Sequence, residues 1–293
     1  MRNDTRTVGE PAGAAGPGPA SLELGPASLN VAEPAPMASF YEKALGLDRL
    51  ESAPGRELLG SGGAALVELR HLPLAPARPP GTTGLFHLAI LEPDRAALAM
   101  RLRALLAAGV KVDGASDHLV SEAIYLRDPE GNGIEIYRDR PRPEWDWSGG
   151  EVAMATLPLD VASLLAERDP GIREAPARLG HVHLNVADLP AAVAFHTGVL
   201  GLDLTTGSYP GAAFVSAGGY HHHFGLNTWN GVGAPAPPPG ALGLAEVTAV
   251  VPGDGTLEAI AARAREAGVP VEELSEGLVL SYPDGPPLRL LAG

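Results

Sequence analysis

Apolar and polar residues alternate over Ser28-Leu29-Asn30-Val31-Ala32, and the same alternation returns at His183-Leu184-Asn185-Val186-Ala187. Alternation of period two predicts a half-buried strand. Each run leads into residues with helical spacing, where Phe40-Tyr41 corresponds to Phe195-His196 at the same offset. Leu45-Gly46-Leu47-Asp48 and Leu200-Gly201-Leu202-Asp203 then supply matching helix-stop signals, glycine being the residue that most readily closes a helix in the left-handed region. A weaker pair repeats the scheme. Gly84-Leu85-Phe86-His87 aligns with Gly243-Leu244-Ala245-Glu246, and Ala108-Gly109-Val110 with Ala267-Gly268-Val269. Helices are expected over roughly 94–108 and 257–267, followed by short strands. The turns Asp128-Pro129-Glu130-Gly131 and Tyr282-Pro283-Asp284-Gly285 precede the last strand of each.

The chain therefore reads as four βαβββ units, at about 21–72, 84–138, 179–231 and 243–292. A segment over 139–178, with Trp145-Asp146-Trp147 and an expected short helix over 159–167, links the second unit to the third, and the proline run 234–239 parts the third from the fourth. Repeats of this length could build a solenoid, but units that mix one helix with mainly antiparallel strands fit an α+β fold better. In that fold each sheet curls into a cup, with helices outside. The corresponding division is a disordered tail over 1–20, one domain of two units over 21–138, the linker 139–178, and a second domain of two units over 179–293.

One stretch stands apart, Gly218-Gly219-Tyr220-His221-His222-His223-Phe224-Gly225-Leu226-Asn227-Thr228-Trp229, which holds three of the nine histidines. No charged side chain occurs between Asp203 and Glu246. Read as a buried strand, it puts His221 and His223 on one face and His222 on the other. Buried imidazoles need partners, so the run is either a set of satisfied core histidines or part of a site.

Composition narrows the choices. A net charge of −14 without a basic patch argues against nucleic acid. No apolar run approaches the length of a membrane span, and residues 1–20, rich in Gly, Pro and Ala, carry no stretch of signal-peptide type, so a cytoplasmic protein is expected. The chain has no cysteine, which leaves His, carboxylate and water as the ligands for any metal.

The unit pattern, the closing phrase Asp-Pro-Glu-Gly-Asn-Gly-Ile-Glu over 128–135, the histidine-rich stretch and His118-Leu119-Val120-Ser121-Glu122-Ala123 together resemble the vicinal oxygen chelate superfamily. Within it, the chain resembles the catechol 2,3-dioxygenase-like, type I extradiol proteins. The resemblance spans about 21–292 and implies a metal held by His87, His181 and Glu135. Units one and four lack these residues: Pro26 stands at the position of His181, Glu246 at that of His87 and Arg289 at that of Glu135. Units two and three must then pair across the linker. The resemblance further implies His222 as the acid–base histidine, Tyr125 as the active-site tyrosine and His118 as a supporting histidine. His183 shares a strand face with His181, and its role stays open between lining a cavity and packing.

Two histidines and a carboxylate on one face of an octahedral ion are the arrangement of non-haem Fe(II) oxygenases. The implied activity is ring cleavage of a small aromatic diol with O2, through Fe(II), with Mn(II), Zn(II) or Ni(II) as alternative ions. A glyoxalase-type isomerase is the rival enzyme; it expects a fourth protein ligand, for which unit three offers no acid, although unit one has Glu68 on a comparable strand. A protein that sequesters a drug in the cup is the non-enzyme rival. Homo-oligomerisation is left open.

Overall fold

In the first module, β1 (Glu23–Val31) leads to α1 (Pro34–Leu45), β2 (Asp48–Ala53), β3 (Arg56–Ser61) and β4 (Ala64–His71). The second holds β5 (Gly84–Leu91), α2 (Arg95–Ala107), β6 (Val112–Asp117), β7 (Ser121–Arg127) and β8 (Gly133–Asp139). The connecting segment contributes three two-residue strands, β9 (Trp147–Ser148), β10 (Glu151–Val152) and β11 (Leu157–Pro158), and a single helical turn, α3 (Val161–Leu165). The third module holds β12 (Arg178–Asn185), α4 (Leu189–Ala194), β13 (Asp203–Thr206), β14 (Ala212–Ser216) and β15 (Phe224–Asn227). The fourth holds β16 (Gly243–Val251), α5 (Thr256–Glu266), β17 (Val271–Leu274), β18 (Gly277–Leu280) and β19 (Leu288–Ala292). The structure, a computed structural model, describes residues 18–168, 175–253, 255–282 and 285–293. Most of the expected N-terminal tail and the pair Pro283-Asp284 lie outside the described residues.

Local chemistry sets the helix ends. The side chains of Asp94, Asp160 and Asp188 each accept the backbone N–H three residues on, at 2.7, 2.9 and 2.9 Å, so α2, α3 and α4 start where an aspartate can cap them. Gly46 closes α1 with φ of 59°. Two expectations need correcting. The linker helix is shorter than 159–167, because Asp160 caps it at its start and Glu167 turns away to Arg95, 2.7 Å from Nη1. The histidine run is not strand: His221–His223 form a bend, and β15 begins only at Phe224. There the Thr205 hydroxyl donates to the His221 carbonyl at 2.6 Å, which takes that group out of the sheet ladder.

The strands form two large sheets. One runs β17-β18-β19-β16-β1-β4-β3-β2, the other β11-β6-β7-β8-β5-β12-β15-β14-β13. Each sheet takes one module from each half of the chain: modules one and four share the first, modules two and three the second. Within a module the first strand lies parallel to the last, and at each sheet centre two first strands meet antiparallel, β1 with β16 and β5 with β12. The apolar faces of the sheets and the helices share one continuous core, including Leu29, Leu88, Ile90, Val182, Leu184 and Val247. The protein is thus an α+β fold of curled sheets with few helices. No helix among the described residues is long and apolar enough to cross a membrane.

Bulges interrupt β12 between Leu179 and His181 and again between His183 and Leu184. They let Leu179, Val182 and Leu184 all face the core although their spacing is irregular. Gly180 sits at the first bulge, where an added Cβ would lie 1.8 Å from the fully buried Tyr137 hydroxyl. Gly180→Ala is therefore expected to cost about 1–3 kcal/mol by overpacking, with Tyr137→Phe in the same chain restoring part of the loss. Denaturant unfolding of the single and double variants measures both effects.

Candidate metal centre

Strand register alone brings three donors together. Ala89 of β5 pairs with Glu135 of β8 on one side and with His181 of β12 on the other, while His87 lies two residues back on the same face. Ala89 is small, so the longer side chains meet over it. His87 Nε2 lies 3.2 Å from His181 Nε2 and 3.0 Å from Glu135 Oε2, and His181 Nε2 is 3.4 Å from the same oxygen. Donors about 2.1 Å from an octahedral ion and cis to one another stand roughly 3 Å apart, so the triangle has the dimensions of a facial metal site. All three side chains are buried, and no other group of three or more His, Asp or Glu donors lies within ligand distance among the described residues.

The electrostatics favour a cation here. Burial works to raise the Glu135 carboxyl, but His181 and His87 outweigh it and hold it well below the usual carboxylate range. Burial lowers His181 to about 4 against the opposing pull of Glu135, so at neutral pH one ring nitrogen keeps its lone pair free. Three lone-pair donors carrying one negative charge then converge at buried positions, which is costly unless a positive ion joins them. The donor set therefore fits the expected metal.

The remaining candidates surround the same centre. A cavity of about 390 Å³ opens onto the triad and is also lined by His222, Tyr125 and His118. The His222 ring centroid is 4.1 Å from that of His181, and burial together with the neighbouring His181 and His221 pushes its pKa well down. His118 places Nδ1 2.7 Å from the Ala155 carbonyl and Nε2 2.5 Å from the Tyr125 hydroxyl. A carbonyl only accepts, so Nδ1 carries the proton and, in the neutral ring, Nε2 accepts from Tyr125. Burial first, and then the Glu135 carboxylate across the strand pair, raise the phenol pKa well above 10. His183 also lines the cavity. Its Nε2 is buried without a hydrogen-bond partner, and Gly225 gives it room, since a Cβ there would stand 2.8 Å from its ring.

His223 turns elsewhere, with Ser216 Oγ 2.9 Å from Nδ1. His221 lies behind His222, their Nδ1 atoms 2.7 Å apart, rather than on the opposite side as strand alternation had it. The local sequence carries no sign of Met154, Thr156 or Tyr209, which also line the cavity. The first two belong to the linker, which adds β11 to β6 and is tied across the opening by Thr156 Oγ1 to Tyr209 Oη at 2.7 Å. Phe86 and Trp229 stand at the mouth, ring centroids 5.2 Å apart and both partly exposed.

The other sheet has the same skeleton and no such group. Glu246 pairs with Ser28 in the register that His87 and His183 occupy. It lies 3.0 Å from Arg289 and 3.1 Å from Arg70. Glu68 accepts from Ser28 at 2.6 Å and also binds Arg56 and Arg70. Burial raises the Glu68 carboxyl, but these three donors outweigh it and lower its pKa. Two carboxylates and three guanidinium groups neutralise one another and leave no uncompensated negative charge for a cation.

Sheets assembled from paired βαβββ modules, with a His-His-Glu group inside one of them, define a class of cup-shaped protein with a candidate metal centre on one sheet. The family model for the Glyoxalase/Bleomycin resistance protein/Dioxygenase superfamily matches residues 23–136 and 178–274. The chain belongs to that superfamily. It is 41% identical over 268 residues to a catechol-2,3-dioxygenase of Bacillus subtilis (strain 168), covering 89% of this chain and 93% of the relative. In fold it resembles a proposed dioxygenase from Bacillus subtilis subsp. subtilis str. 168, with a TM-score of 0.67 at 15% identity over 94% of this chain and 86% of the other. It also resembles glyoxalase I from Zea mays, with a TM-score of 0.61 at 18% identity over 93% and 92%.

His87→Ala or His181→Ala should strip most of the bound metal, whereas Pro26→His should add none, because the ionic network already fills the other cup. Elemental analysis of the purified variants checks this, with losses expected beyond the roughly 10–100-fold that follows removal of a residue merely supporting a ligand. Chelation should remove a linkage stabilisation of about a few kcal/mol and so lower the melting temperature in thermal scans without unfolding the chain, since the apolar core lies on the opposite face of the sheet.

Proposed function

We propose that this protein is a ring-cleaving dioxygenase that uses Fe(II) at His87, Glu135 and His181 to act on a catechol-like substrate with O2. The observation that carries the reading is the placement of His222 and the Tyr125–His118 pair around one cavity that opens onto the triad. The 41% identity to a catechol-2,3-dioxygenase over most of both chains supports the same class of reaction. When bound, the ion supplies a chelation site for vicinal oxygens and the redox contact with dioxygen.

The chain's own residues supply the rest. His222, held neutral by burial, is the base for a catechol hydroxyl proton and returns one later. Tyr125 is held by His118, which leaves the phenolic oxygen able to accept from the substrate. Phe86, Phe214, Trp229 and Met154 give the cavity an apolar wall suited to an aromatic ring, and Glu135 is the one carboxylate or cationic Lys or Arg side chain among its lining residues.

Fe(II)-loaded protein offered a panel of catechols should consume oxygen and form the yellow ring-opened product. His222→Phe should keep its metal and lose turnover by about 10²–10⁴-fold, the range for a positioned proton-transfer group. Isomerisation of a thiol hemiacetal without oxygen uptake would replace this reading with the isomerase one. Loss of metal from His222→Phe would make His222 a ligand instead.

A further inference from the structure

Behind His222 lies a chain of groups that the reaction outlined above does not use. His221 is fully buried, its ring centroid 4.1 Å from that of Tyr220, 5.1 Å from that of Trp145 and 4.6 Å from that of His222. Its Nε2 lies 2.7 Å from Asp139 Oδ1, and its Nδ1 lies 2.7 Å from Nδ1 of His222. Asp139 is held in turn. The Tyr220 hydroxyl donates to Oδ1 at 3.3 Å, and the Tyr137 and Tyr220 hydroxyls are 2.7 Å apart. Asp139 also follows Glu135 and Tyr137 at alternate positions of β8, so one strand face supplies a metal-centre carboxylate, a buried phenol and this second carboxylate.

We infer that Asp139 and His221 are positioning residues that set the tautomer of His222, keeping the proton on Nδ1 so that the Nε2 lone pair is open to the cavity. The proton count leads there directly. A carboxylate accepts only, so His221 Nε2 carries a proton. In the neutral His221 ring Nδ1 is then an acceptor, and the nitrogen facing it at 2.7 Å must be the donor, His222 Nδ1–H. The remaining nitrogen of His222, Nε2, has no hydrogen-bond partner among the described residues, and its ring lines the cavity. A histidine without this support favours the proton on Nε2, where it would block the base.

When Nε2 takes a substrate hydroxyl proton, the His222 ring becomes a cation that still donates from Nδ1. The Asp139 carboxylate balances that charge from one ring away. The logic is that of a carboxylate orienting a catalytic imidazole, where the wrong tautomer alone costs about 10⁴-fold. Here a second imidazole bridges the carboxylate to the base.

This inference rests on His222 being the base of the proposed reaction, but its first test needs no turnover. In ¹⁵N-histidine-labelled, Zn(II)-loaded protein, long-range ¹H–¹⁵N spectra should show His222 protonated at Nδ1 and bare at Nε2, and His221→Phe should move the proton to Nε2. A wild-type His222 protonated at Nε2 overturns the relay. In kinetics, His221→Phe should keep its metal and hold KM within a few-fold while kcat falls by about 10²–10⁴-fold. Adding it to His222→Phe should cost nothing more. Losses that multiply in the double variant, or a fall confined to KM and metal content, would overturn the relay. Asp139→Asn, at a partly exposed position, carries the same test if His221→Phe does not fold, and Asp139→Glu should recover part of the lost kcat. A wild type that shows the expected tautomer yet cleaves no catechol would uphold the relay and reject the proposed reaction.

Discussion

The antiparallel pairing of Gly84–Leu91 with Arg178–Asn185 is the constraint on which the site depends. It sets His183 against His87 and His181 against Ala89, while the parallel neighbour Gly133–Asp139 sets Glu135 against Ala89 from the other side. A slip of one residue would turn His181 and His183 into the core and bring Val182 and Leu184 out. The apolar face therefore holds the register, and the register holds the donors. The bulges in β12 reconcile an irregular apolar pattern with a regular polar one.

The two sheets solve one problem in different ways. Each has a buried polar centre where two first strands meet, and an unpaired buried charge there would be expensive. In the sheet of modules one and four, Glu68 and Glu246 are neutralised by Arg56, Arg70 and Arg289, and the centre closes on itself. In the sheet of modules two and three, the histidines bring no fixed positive charge. Glu135 and two imidazoles leave a net attraction for a cation and a cavity beside it. The difference between the two centres comes down to corresponding strand positions, which hold Pro26, Glu246 and Arg289 in one sheet and His181, His87 and Glu135 in the other.

The linker and the histidine bend complete the centre from outside the strands. Trp145 packs against Tyr220 and His221, and Met154 and Thr156 reach the cavity wall. The bend exists because Thr205 takes the His221 carbonyl, and it brings His222 onto the cavity with His221 behind it. Had those residues continued the strand, alternation would have separated the two rings and broken the contact to Asp139.

Much of this was legible in the chain. The repeats marked four modules, the glycines marked helix ends, and the resemblance pointed to His87, Glu135 and His181, which the sheet does bring within 3.4 Å of one another. These signals are local, because strand and helix periods and caps act over a few residues. The alternation of Glu135, Tyr137 and Asp139 was local too, but nothing near it said which histidine Asp139 would meet. The conformation of His221–His223, the reach of Met154, Thr156 and Tyr209, and the ionic closure of the second cup all depend on groups distant in sequence. Tertiary structure alone decided them, since a hydrogen-bond partner or a cavity wall is chosen by which strands pair, and pairing is set by the burial of the whole apolar face rather than by any one segment.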